Sequence, residues 1–470
     1  MTVERATVAA GAGAWLTDLI EWLKIPSMSA DPEQRPAVAA SAAYLAQALR
    51  KVGFPTVEVW SDTAAAPAVY AHWPSGDPDA VRVVVYGHHD VQPADGVERW
   101  TRPPFDPQIV DGMLHGRGAS DDKGNIFMHL LGVQAHLAAT GRPAPAVDLT
   151  MFVEGEEESG SPHISELLAA HHTELAADLI VVTDTGIFNA ETPSICVGMR
   201  GLVAGELHVH GPDIDLHSGS FGGAVLNPAT ELARLLAAMH DANRHIAIPG
   251  FYDGVLEPTA AERAATAALP FDEGSWLAGP AASRAAYGEA GYSTLERIGS
   301  RPTAEINGIW GGYTGPGGKT IVPTDATAKL TFRMVGHQDP TAIKKAVSAF
   351  FADRAAPGAQ VTMTWEGGVR PLYVDPRHPA TVATAAALSR AFDDETVLFT
   401  REGGSGPEAE LVESLGAPLV FIGVMTDEDQ IHAPNESARI DLLFRGCEAI
   451  GYLWSELAAV GRSGIAGASR

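Results

Sequence analysis

The apolar positions of the chain form two patterns that alternate and predict strands and helices in turn. Continuous runs rich in Val and Ile predict strands buried on both faces. These runs are Val81–Gly87, Val147–Val153, Asp178–Thr183 and Pro418–Val424. Apolar residues recur every three or four positions, as in amphipathic helices, at Ala14–Lys24, Ala37–Val52, Lys123–Thr140, Ile164–His172, Pro379–Phe392 and Ser437–Ala459. The alternation predicts an α/β fold with a mostly parallel, doubly wound sheet and helices on both of its faces.

The middle of the chain has a different pattern. Gly201–His210 alternates apolar and polar residues like a half-exposed strand. The elements expected after it are helices at Pro228–Asp241 and Pro340–Asp353 and strands at Asp325–Arg333 and Gln360–Trp365. We therefore expect a smaller α+β domain over residues 198–372, which interrupts a discontinuous main domain of residues 1–197 and 373–470. The stretch Tyr252–Arg301 is expected to be helical or irregular.

Composition excludes several classes of protein. The chain of 470 residues carries 32 Lys and Arg against 58 Asp and Glu, a net charge of −26, which disfavours binding to nucleic acid. Only two cysteines are present, Cys196 and Cys447, too few for a disulfide scaffold. Neither a signal peptide nor an apolar run of about 18 residues is found. We expect a globular cytoplasmic protein without a nucleic-acid or membrane partner.

Residues of the types that bind metals follow each predicted buried strand. The first strand leads into His88-His89-Asp90, the second into Glu154–Glu158, the third into Asp184, and the fourth by a short loop to His432. Asp121 and Asp122 precede a predicted helix. The carboxyl ends of parallel strands line one crevice, so we expect these groups to converge. Two histidines and several carboxylates, with no thiolate, suit zinc or manganese.

The number of these residues suggests two metal ions. One zinc ion takes about three protein ligands, whereas five are available: His88, Asp121, Glu158, Asp184 and His432. A carboxylate can bridge two ions, and Asp121 is the candidate, which leaves one His and one carboxylate for each ion. Asp90, two residues after His88, can accept the other N–H of that imidazole. Glu157 is then available to take a proton from water as a general base.

Simpler interpretations exist for each residue alone. Glu156–Glu158 resembles a solvated surface, and Asp121-Asp122 a helix N-cap. Packing or surface roles are expected for His129, His136, His171, His172, His208 and His210, and both cysteines are expected to be packed thiols. Gly317–Thr320 lacks the first glycine of a P-loop, since position 313 is Tyr. The zincin, nucleophile-elbow and dinucleotide-binding motifs are absent from the sequence.

Several longer motifs, in this order, carry a family resemblance. They are GHHDVQP at Gly87–Pro93, GRGASDDKG at Gly116–Gly124, EGEEESGS at Glu154–Ser161, DLHSGSFGG at Asp215–Gly223, GGKTIVP at Gly317–Pro323, FRM at Phe332–Met334 and REGGS at Arg401–Ser405, followed by His432. Together they resemble the M20 metallopeptidase family, and within it the dipeptidase branch that includes carnosinase. The likeness covers nearly the whole chain.

The resemblance implies a role for each residue of the main-domain site. His88 and Asp184 would hold one metal, Glu158 and His432 the other, and Asp121 would bridge them, with Glu157 as general base. The metals would be zinc, with Mn²⁺ or Co²⁺ as alternatives. It also implies a cis peptide between Asp121 and Asp122.

The resemblance further implies that the smaller domain is a lid that mediates homodimerisation. His217 would reach the partner's active site and stabilise the oxyanion, while Thr320, Arg333 and Ser405 would contact substrate. Arg333 suits a terminal carboxylate. The chain departs from the pattern at Glu366, which stands where related members carry His, and we expect Glu366 to favour substrates with a cationic group nearby. His89 replaces an apolar residue and has no functional interpretation.

The sequence thus predicts hydrolysis of dipeptides or short peptides that have a free C-terminal carboxylate, by a metal-bridging water activated by Glu157. One alternative is an amidohydrolase that acts on N-acyl, N-succinyl or N-carbamoyl amino acids with the same metals. Another is a catalytically inactive binding protein, which the complete set of ligands and base disfavours.

Overall fold

The computed structural model describes residues 1–94 and 96–467, and the chain divides into two units. Unit 1 comprises Met1–Val197, Val374–Thr400 and the chain from Gly406 onward, and unit 2 comprises Gly198–Tyr373 and Arg401–Ser405. The segment Arg401–Ser405 falls in unit 2, although its position in the sequence suggested the main domain. Its Gly404 carbonyl accepts the Arg200 N–H (3.0 Å), and its Ser405 hydroxyl accepts from Arg333 (2.8 Å).

Thirteen α-helices are described in these residues, besides four single turns of 3-10 helix. In chain order they are α1 Val3–Leu23, α2 Arg35–Val52, α3 Lys123–Thr140, α4 Ile164–Ala170, α5 Ser218–Phe221, α6 Pro228–Ala237, α7 Ala260–Ala268, α8 Glu273–Ala278, α9 Thr294–Gly299, α10 Pro340–Arg354, α11 Pro379–Ala391, α12 Glu408–Leu415 and α13 Ile440–Gly467. Gly461 (φ 70°, ψ 165°) interrupts the last helix. Within the described residues, none of these helices combines the length and apolarity that crossing a bilayer requires.

Eighteen strands are described in the same residues. In chain order they are β1 Thr56–Trp60, β2 Ala68–Trp73, β3 Arg82–His88, β4 Gln108–Val110, β5 Met113–His115, β6 Asp148–Glu154, β7 Leu179–Val182, β8 Ser194–Met199, β9 Gly201–His210, β10 Leu216–His217, β11 Thr303–Gly311, β12 Ile321–Val322, β13 Asp325–Met334, β14 Gln360–Val369, β15 Leu372–Tyr373, β16 Leu398–Glu402, β17 Leu419–Phe421 and β18 Ser437–Arg439.

The main sheet of unit 1 has the order β1-β2-β6-β3-β7-β17. Strands β6, β3, β7 and β17 pair in parallel, and β2 and β1 add an antiparallel hairpin on the outer side of β6. The α/β class with a mainly parallel sheet is therefore confirmed. Along the chain, β6 joins one side of β3 and β7 then joins the other side. The winding direction thus reverses at β3, and such a reversal opens a crevice at the carboxyl ends of the strands.

The apolar runs become central strands because both of their faces are covered. Val83, Val84 and Val85 in β3 are at most 1% exposed, as are all four residues of β7. Helix α3 begins at Lys123 and ends at Thr140, as its periodicity predicts, and its first eleven residues are all buried. The predicted helix Ala14–Lys24 instead begins at Val3, because Ala-rich turns extend it toward the N-terminus.

Unit 2 is built on an antiparallel sheet of order β11-β13-β9-β14. The alternation of β9 is the cause of its burial pattern, in which every second residue from Gly201 is buried. The core on that face includes Leu207 and Phe332 from the strands and Phe351 from α10. A separate two-stranded ribbon pairs β10 with β12. The Tyr252–Arg301 region, expected to be helical or irregular, contains the short helices α7, α8 and α9 joined by irregular segments.

Candidate active site

His88 ends β3, the strand at which the sheet winding reverses, and it is fully buried. Its Nδ1 lies 3.2 Å from the Asp90 carbonyl and 3.3 Å from Asp90 Oδ1. The Asp90 carboxylate also accepts the backbone N–H groups of Glu157 (3.2 Å) and Glu158 (3.1 Å). Asp90 therefore orients the His88 ring and fixes the start of the acidic loop that follows β6.

Asp121 lies between the two histidines of the cluster. Its Oδ1 is 3.1 Å from His88 Nε2, and its Oδ2 is 2.9 Å from His432 Nε2. The peptide between Asp121 and Asp122 is cis, which confirms that expectation. Each oxygen of one carboxylate thus faces a different imidazole, and this is the arrangement that a bridging ligand requires.

His432 also contacts Glu158, with its Nε2 3.2 Å from Glu158 Oε2. Gln92 holds this carboxylate from the other side, since its side-chain amide donates to Oε2 (2.7 Å) and its backbone N–H to Oε1 (3.1 Å). His432 has a left-handed backbone conformation, with φ at 61°. The contact between Gln92 and Glu158 could not be predicted from the sequence, because it joins two loops that are far apart along the chain.

Asp184 and Glu157 complete the cluster on the His88 side. Asp184 Oδ2 is 3.6 Å from His88 Nε2, and ligand atoms of His88, Glu157 and Asp184 all lie within 4.8 Å of one another. The atoms of His88, Asp121 and Glu158 meet the same condition. The fold therefore gathers two imidazoles and four carboxylates that come from five separate segments of unit 1.

The cluster contains more negatively charged carboxylates than positive charge to balance them, and this imbalance contributes to the raised pKa values of several of its side chains. Burial alone lowers the pKa of His88, but hydrogen bonds with Asp121, Asp184 and Asp90 outweigh it and raise the pKa well above its ordinary value. Hydrogen bonds with Asp121 and Glu158 raise the pKa of His432 to about 10. Burial, followed by the charges of Asp184 and Glu158, raises the pKa of Glu157 well above its ordinary value, against the effect of His88.

These residues fit a pair of divalent cations. Ligands of tetrahedral zinc lie about 2.0–2.1 Å from the ion and therefore about 3.3 Å from one another. The ligand atoms that face one another in the cluster are 2.9 to 3.6 Å apart. Oxygen and imidazole donors without thiolate suit Zn²⁺, Mn²⁺ or Co²⁺. Cations would also offset the repulsion among the four carboxylates.

Glu436, an acidic residue that was not predicted from the sequence, supports the main chain at Asp121. The Glu436 side chain is fully buried and accepts the backbone N–H groups of Gly118 (3.0 Å), Ser120 (3.1 Å) and Asp121 (3.2 Å). Arg117 donates to it at 2.7 Å. The pairing of β18 with β5 brings Glu436 to this loop, and no local sequence signal reports such a pairing.

Asp122 is not the simple helix cap that its position in the sequence suggested. Its side chain makes no capping hydrogen bond to α3, and its Oδ2 instead accepts the His88 backbone N–H at 3.2 Å. Gly87 makes this approach possible, because a Cβ there would lie 2.4 Å from Asp122 Oδ2. The glycine before His88 thus has a steric reason in the structure.

His89 faces away from the cluster. Its Nε2 lies 2.7 Å from the Pro67 carbonyl, and its ring packs where a Cβ on Gly155 would be. Burial lowers the pKa of His89 to about 4. His89 is thus a neutral, packed histidine, which is consistent with the absence of a functional interpretation.

Unit 2 carries the remaining predicted site residues in three places. His217 ends β10, and the N–H of Ser218 after it donates to the Thr320 carbonyl (2.9 Å), so His217 and Thr320 are neighbours. His217 Nδ1 accepts the Gly219 N–H at 3.0 Å, which leaves the proton of a neutral ring on Nε2. Arg333 and Ser405 form a second pair. The Glu366 side chain is exposed and makes no hydrogen bond or ion pair with the described chain.

An α/β sheet with histidines and carboxylates gathered at its strand ends is typical of a metal-dependent hydrolase. The model of Peptidase family M20/M25/M40 matches residues 84–456. The chain therefore belongs to this family, and it is a hydrolase that acts on peptide bonds. Peptidases of the family use a dinuclear metal site.

Curated relatives and solved structures agree with this assignment. The chain is 29% identical to the Cys-Gly metallodipeptidase DUG1 of Candida albicans over 449 residues, 91% of each chain. It is 29% identical to the human Beta-Ala-His dipeptidase over 366 residues, 77% of this chain and 71% of that one. The structure of the M20 family metallo-carboxypeptidase Sso-CP2 from Sulfolobus solfataricus superposes with a TM-score of 0.79 at 28% identity, covering 95% of this chain and 99% of that one.

Proposed function

We propose that the protein is a di-metal dipeptidase that cleaves short peptides with a free C-terminal carboxylate. The observation that carries the proposal is the position of Asp121, whose two oxygens face His88 and His432. In this proposal His88 and Asp184 hold one ion, Glu158 and His432 hold the other, and Asp121 bridges them. Zinc is the expected metal, with manganese or cobalt as possible substitutes.

The chain's own residues divide the catalytic work. Divalent ions bound there would polarise the peptide carbonyl and lower the pKa of water from about 15.7 toward about 7. Glu157 takes the proton from the attacking water and later delivers it to the leaving amine. Burial and neighbouring carboxylates hold its pKa above the ordinary value, which suits a group that must both accept and return a proton near neutral pH.

Residues of unit 2 bind the substrate in this proposal. His217 donates a hydrogen bond from Nε2 to the developing oxyanion, because its Nδ1 is already an acceptor for Gly219. Arg333 binds the terminal carboxylate as a fork, with Ser405 holding the guanidinium at 2.8 Å and Thr320 lying beside His217. Glu366 favours a substrate with a cationic group nearby.

We also propose that unit 2 is a lid that forms a homodimer and delivers His217 to the partner's site. The edge strand β11 supports this proposal. It ends the four-stranded sheet and exposes Ile306 (42%), Ile309 (61%) and Trp310 (46%). An edge strand with large apolar side chains exposed is typical of a surface that pairs with another chain.

A substrate panel tests the reaction class. Enzyme stripped of metal by a chelator and reloaded with Zn²⁺ or Mn²⁺ is assayed with dipeptides and with their N-acetylated counterparts. Cleavage of the dipeptides that requires added metal supports the proposal. Faster cleavage of the N-acyl, N-succinyl or N-carbamoyl amino acids would assign the same site to amidohydrolase chemistry, and silence throughout the metal-loaded panel would indicate a binding protein.

A further inference from the structure

Arg200 lies beside Arg333 in unit 2, and its charged group has no ion-pair partner among the residues that the structure describes. It follows β8, and its main chain is fixed at both ends: the Arg200 N–H donates to the Gly404 carbonyl (3.0 Å), and the Ser405 hydroxyl donates to the Arg200 carbonyl. The Arg200 Nε is buried without a hydrogen-bond partner, and the side chain makes no ion pair with any described residue. The backbone therefore holds this arginine firmly while its guanidinium remains unpaired.

Unpaired neighbouring arginines are unusual in a chain with a net charge of −26. Arg117, Arg301 and Arg401 each have a carboxylate partner within 2.8 Å, as do other arginines of the chain. Arg333 has only the Ser405 hydroxyl as a hydrogen-bond partner among the described residues. Burying a cation without a counter-charge costs free energy, so two such cations at one place are retained where a ligand supplies the anion.

The electrostatics of the pair point the same way. Burial and then repulsion from Arg333 lower the pKa of Arg200 to about 10, and Glu305 offsets this only in part. Burial lowers the pKa of Arg333, and no described carboxylate opposes it. Both side chains still carry their charge at neutral pH. Their surroundings thus favour the binding of an anion. Because one guanidinium can bind one carboxylate through two hydrogen bonds, two arginines can bind two carboxylates.

We infer that Arg200 and Arg333 form a two-arginine subsite that binds two carboxylates of one substrate, so that the enzyme prefers dipeptides whose C-terminal residue is Asp or Glu. Arg333 takes the terminal carboxylate, as in the proposed function on which this inference rests. Arg200 takes the side-chain carboxylate. The subsite is prearranged, because Ser405 contacts both arginines and the Gly404 carbonyl fixes the main chain of Arg200.

Gly403 offers a way to move the Arg200 guanidinium without removing its charge. A Cβ at position 403 would lie 2.9 Å from Arg200 Nη2, and Gly403 is not among the glycines with positive φ. Gly403→Ala should therefore fold and displace the end of the arginine side chain. Gly317→Ala is less suitable as its control, since φ there is 76°, whereas Gly318 has nothing within 4 Å and no positive φ. Gly318→Ala is therefore the matched control.

The test compares two nearly isosteric substrates, Ala-Glu and Ala-Gln, with metal-loaded enzyme. Wild type should show a kcat/KM at least about tenfold higher for Ala-Glu, since a charged fork contact is strong when partly buried. Arg200→Gln and Gly403→Ala should each reduce this ratio by about tenfold, and Arg200→Lys by less because it keeps the charge. Gly318→Ala should keep the wild-type ratio. Equal turnover of the two substrates by wild type, or an unchanged ratio in Arg200→Gln, would overturn the inference.

A binding measurement separates this inference from the proposed reaction. Glutarate, with two carboxylates, and butyrate, with one, are titrated into wild type and Arg200→Gln while the melting temperature is followed. Glutarate should stabilise wild type more than butyrate does, and Arg200→Gln should abolish the difference even if no dipeptide is cleaved. Equal stabilisation by both acids in wild type would contradict the two-arginine subsite, whatever the activity assays give.

Discussion

At the scale of single residues, the proposed metal site depends on the side chains that hold its candidate ligands in place as much as on those ligands. Asp90 contacts the His88 ring and also fixes the main chain of Glu157 and Glu158. Gln92 holds Glu158, and Glu436 holds the main chain at Asp121. A ligand cluster made of loops keeps its geometry only when such contacts restrict the loops. Substitutions at these supporting positions should therefore impair metal binding without removing a ligand.

Gly87→Ala tests the close approach behind His88. The new Cβ would lie 2.4 Å from Asp122 Oδ2 and 2.3 Å from Ile126 Cδ1, so Asp122 or the start of α3 must move. We expect the free energy of unfolding to fall by about 1–3 kcal/mol and metal affinity to fall with it. Urea unfolding and metal titration calorimetry measure the two effects.

Gly13→Ala is the control for this change. Gly13 lies in α1 with nothing within 4 Å of its added Cβ, so alanine there should stabilise the helix by up to about 1 kcal/mol. Equal effects of the two substitutions would mean that the contact between Gly87 and Asp122 has no special role.

Glu436→Gln tests the support behind Asp121. Burial raises the pKa of Glu436 to about 7 despite Arg117, so the comparison is made well above that pH, where the carboxylate is charged. The amide leaves the Arg117 charge unpaired, and we expect the metal-free protein to lose about 3 kcal/mol of unfolding free energy. Metal affinity should fall as well, which calorimetry measures.

Asp441→Asn makes the same chemical change in an exposed pair. Asp441 is 59% exposed and pairs with Arg439, so its loss should cost less than about 1 kcal/mol. If Glu436→Gln were as mild as this control and bound metal like wild type, the supporting role of Glu436 would be wrong.

At the scale of elements, helices α3 and α13 pack around a histidine that is buried without partners. His129 in α3 is 2% exposed, and neither ring nitrogen has a hydrogen-bond partner in the described part of the chain. Its ring centroid lies 5.9 Å from that of Trp454. Burial lowers the pKa of His129 to about 3 from an ordinary 6.5. The packing of these helices therefore requires a neutral ring.

His129→Leu should change how stability depends on pH. The folded state binds a proton at His129 less readily than the unfolded state does, because the folded-state pKa is lowered. The free energy of unfolding is therefore at its full value above pH 6.5 and falls as the pH drops toward 3. In wild type, His129 should lower the free energy of unfolding by up to about 1.4 kcal/mol for each pH unit of acidification, and the leucine variant should not show this decrease. Urea unfolding at a series of pH values gives the slopes. The control is His172→Leu at an exposed position, which should keep the wild-type dependence of unfolding free energy on pH. If His129→Leu also kept this dependence, buried His129 would not be its cause.

The elements that could be predicted from sequence are those whose burial leaves a clear apolar pattern. Helix α3 begins and ends where its periodicity predicts. The hairpin of β1 and β2 was missed, because β1 is short and partly exposed. Helices α7 and α9 lie in the stretch that was expected to be helical or irregular, but their bounds were not predicted, because α7 has no buried residue and α9 is only six residues long. Both begin with a capping box, Thr259 with Glu262 and Ser293 with Glu296, which is a signal that the sequence contains.

The same distinction holds within the site. His88 and Asp184 follow buried strands, so topology alone could predict that they converge. Glu436 and Gln92 act through contacts between distant loops, and no spacing in the sequence reports them. Arg200 was missed for another reason: only the three-dimensional surroundings reveal that an arginine has no counter-charge.

At the scale of the whole molecule, the proposal requires two copies of the chain for one complete site. His217 ends the short strand β10 in unit 2, whereas Glu157 lies in the ligand cluster of unit 1. If His217 serves the partner's site, inactivating substitutions at the two positions should complement each other. A mixed dimer of one Glu157→Ala subunit and one His217→Ala subunit would contain one site with both changes and one site with neither.

Co-expression of Glu157→Ala with His217→Ala should therefore restore about a quarter of wild-type activity, since about half of the dimers are mixed and each has one intact site. Each variant alone should be nearly inactive. Light scattering should report a dimer, and Ile309→Asp in the exposed edge strand should convert it to a monomer without activity. A dimeric mixture without restored activity would show that His217 does not act across subunits.

In the proposed mechanism Glu157 moves the proton without binding a metal ion, whereas Glu158, the next residue, is a metal ligand. The direct measurement is the metal content and kcat of Glu157→Gln beside Glu158→Gln, both reloaded with zinc. Glu157→Gln should retain two ions per subunit and lose about 10²–10⁴-fold in kcat on a dipeptide, whereas Glu158→Gln should lose an ion. A Glu157→Gln enzyme with two ions and near wild-type kcat would contradict the account.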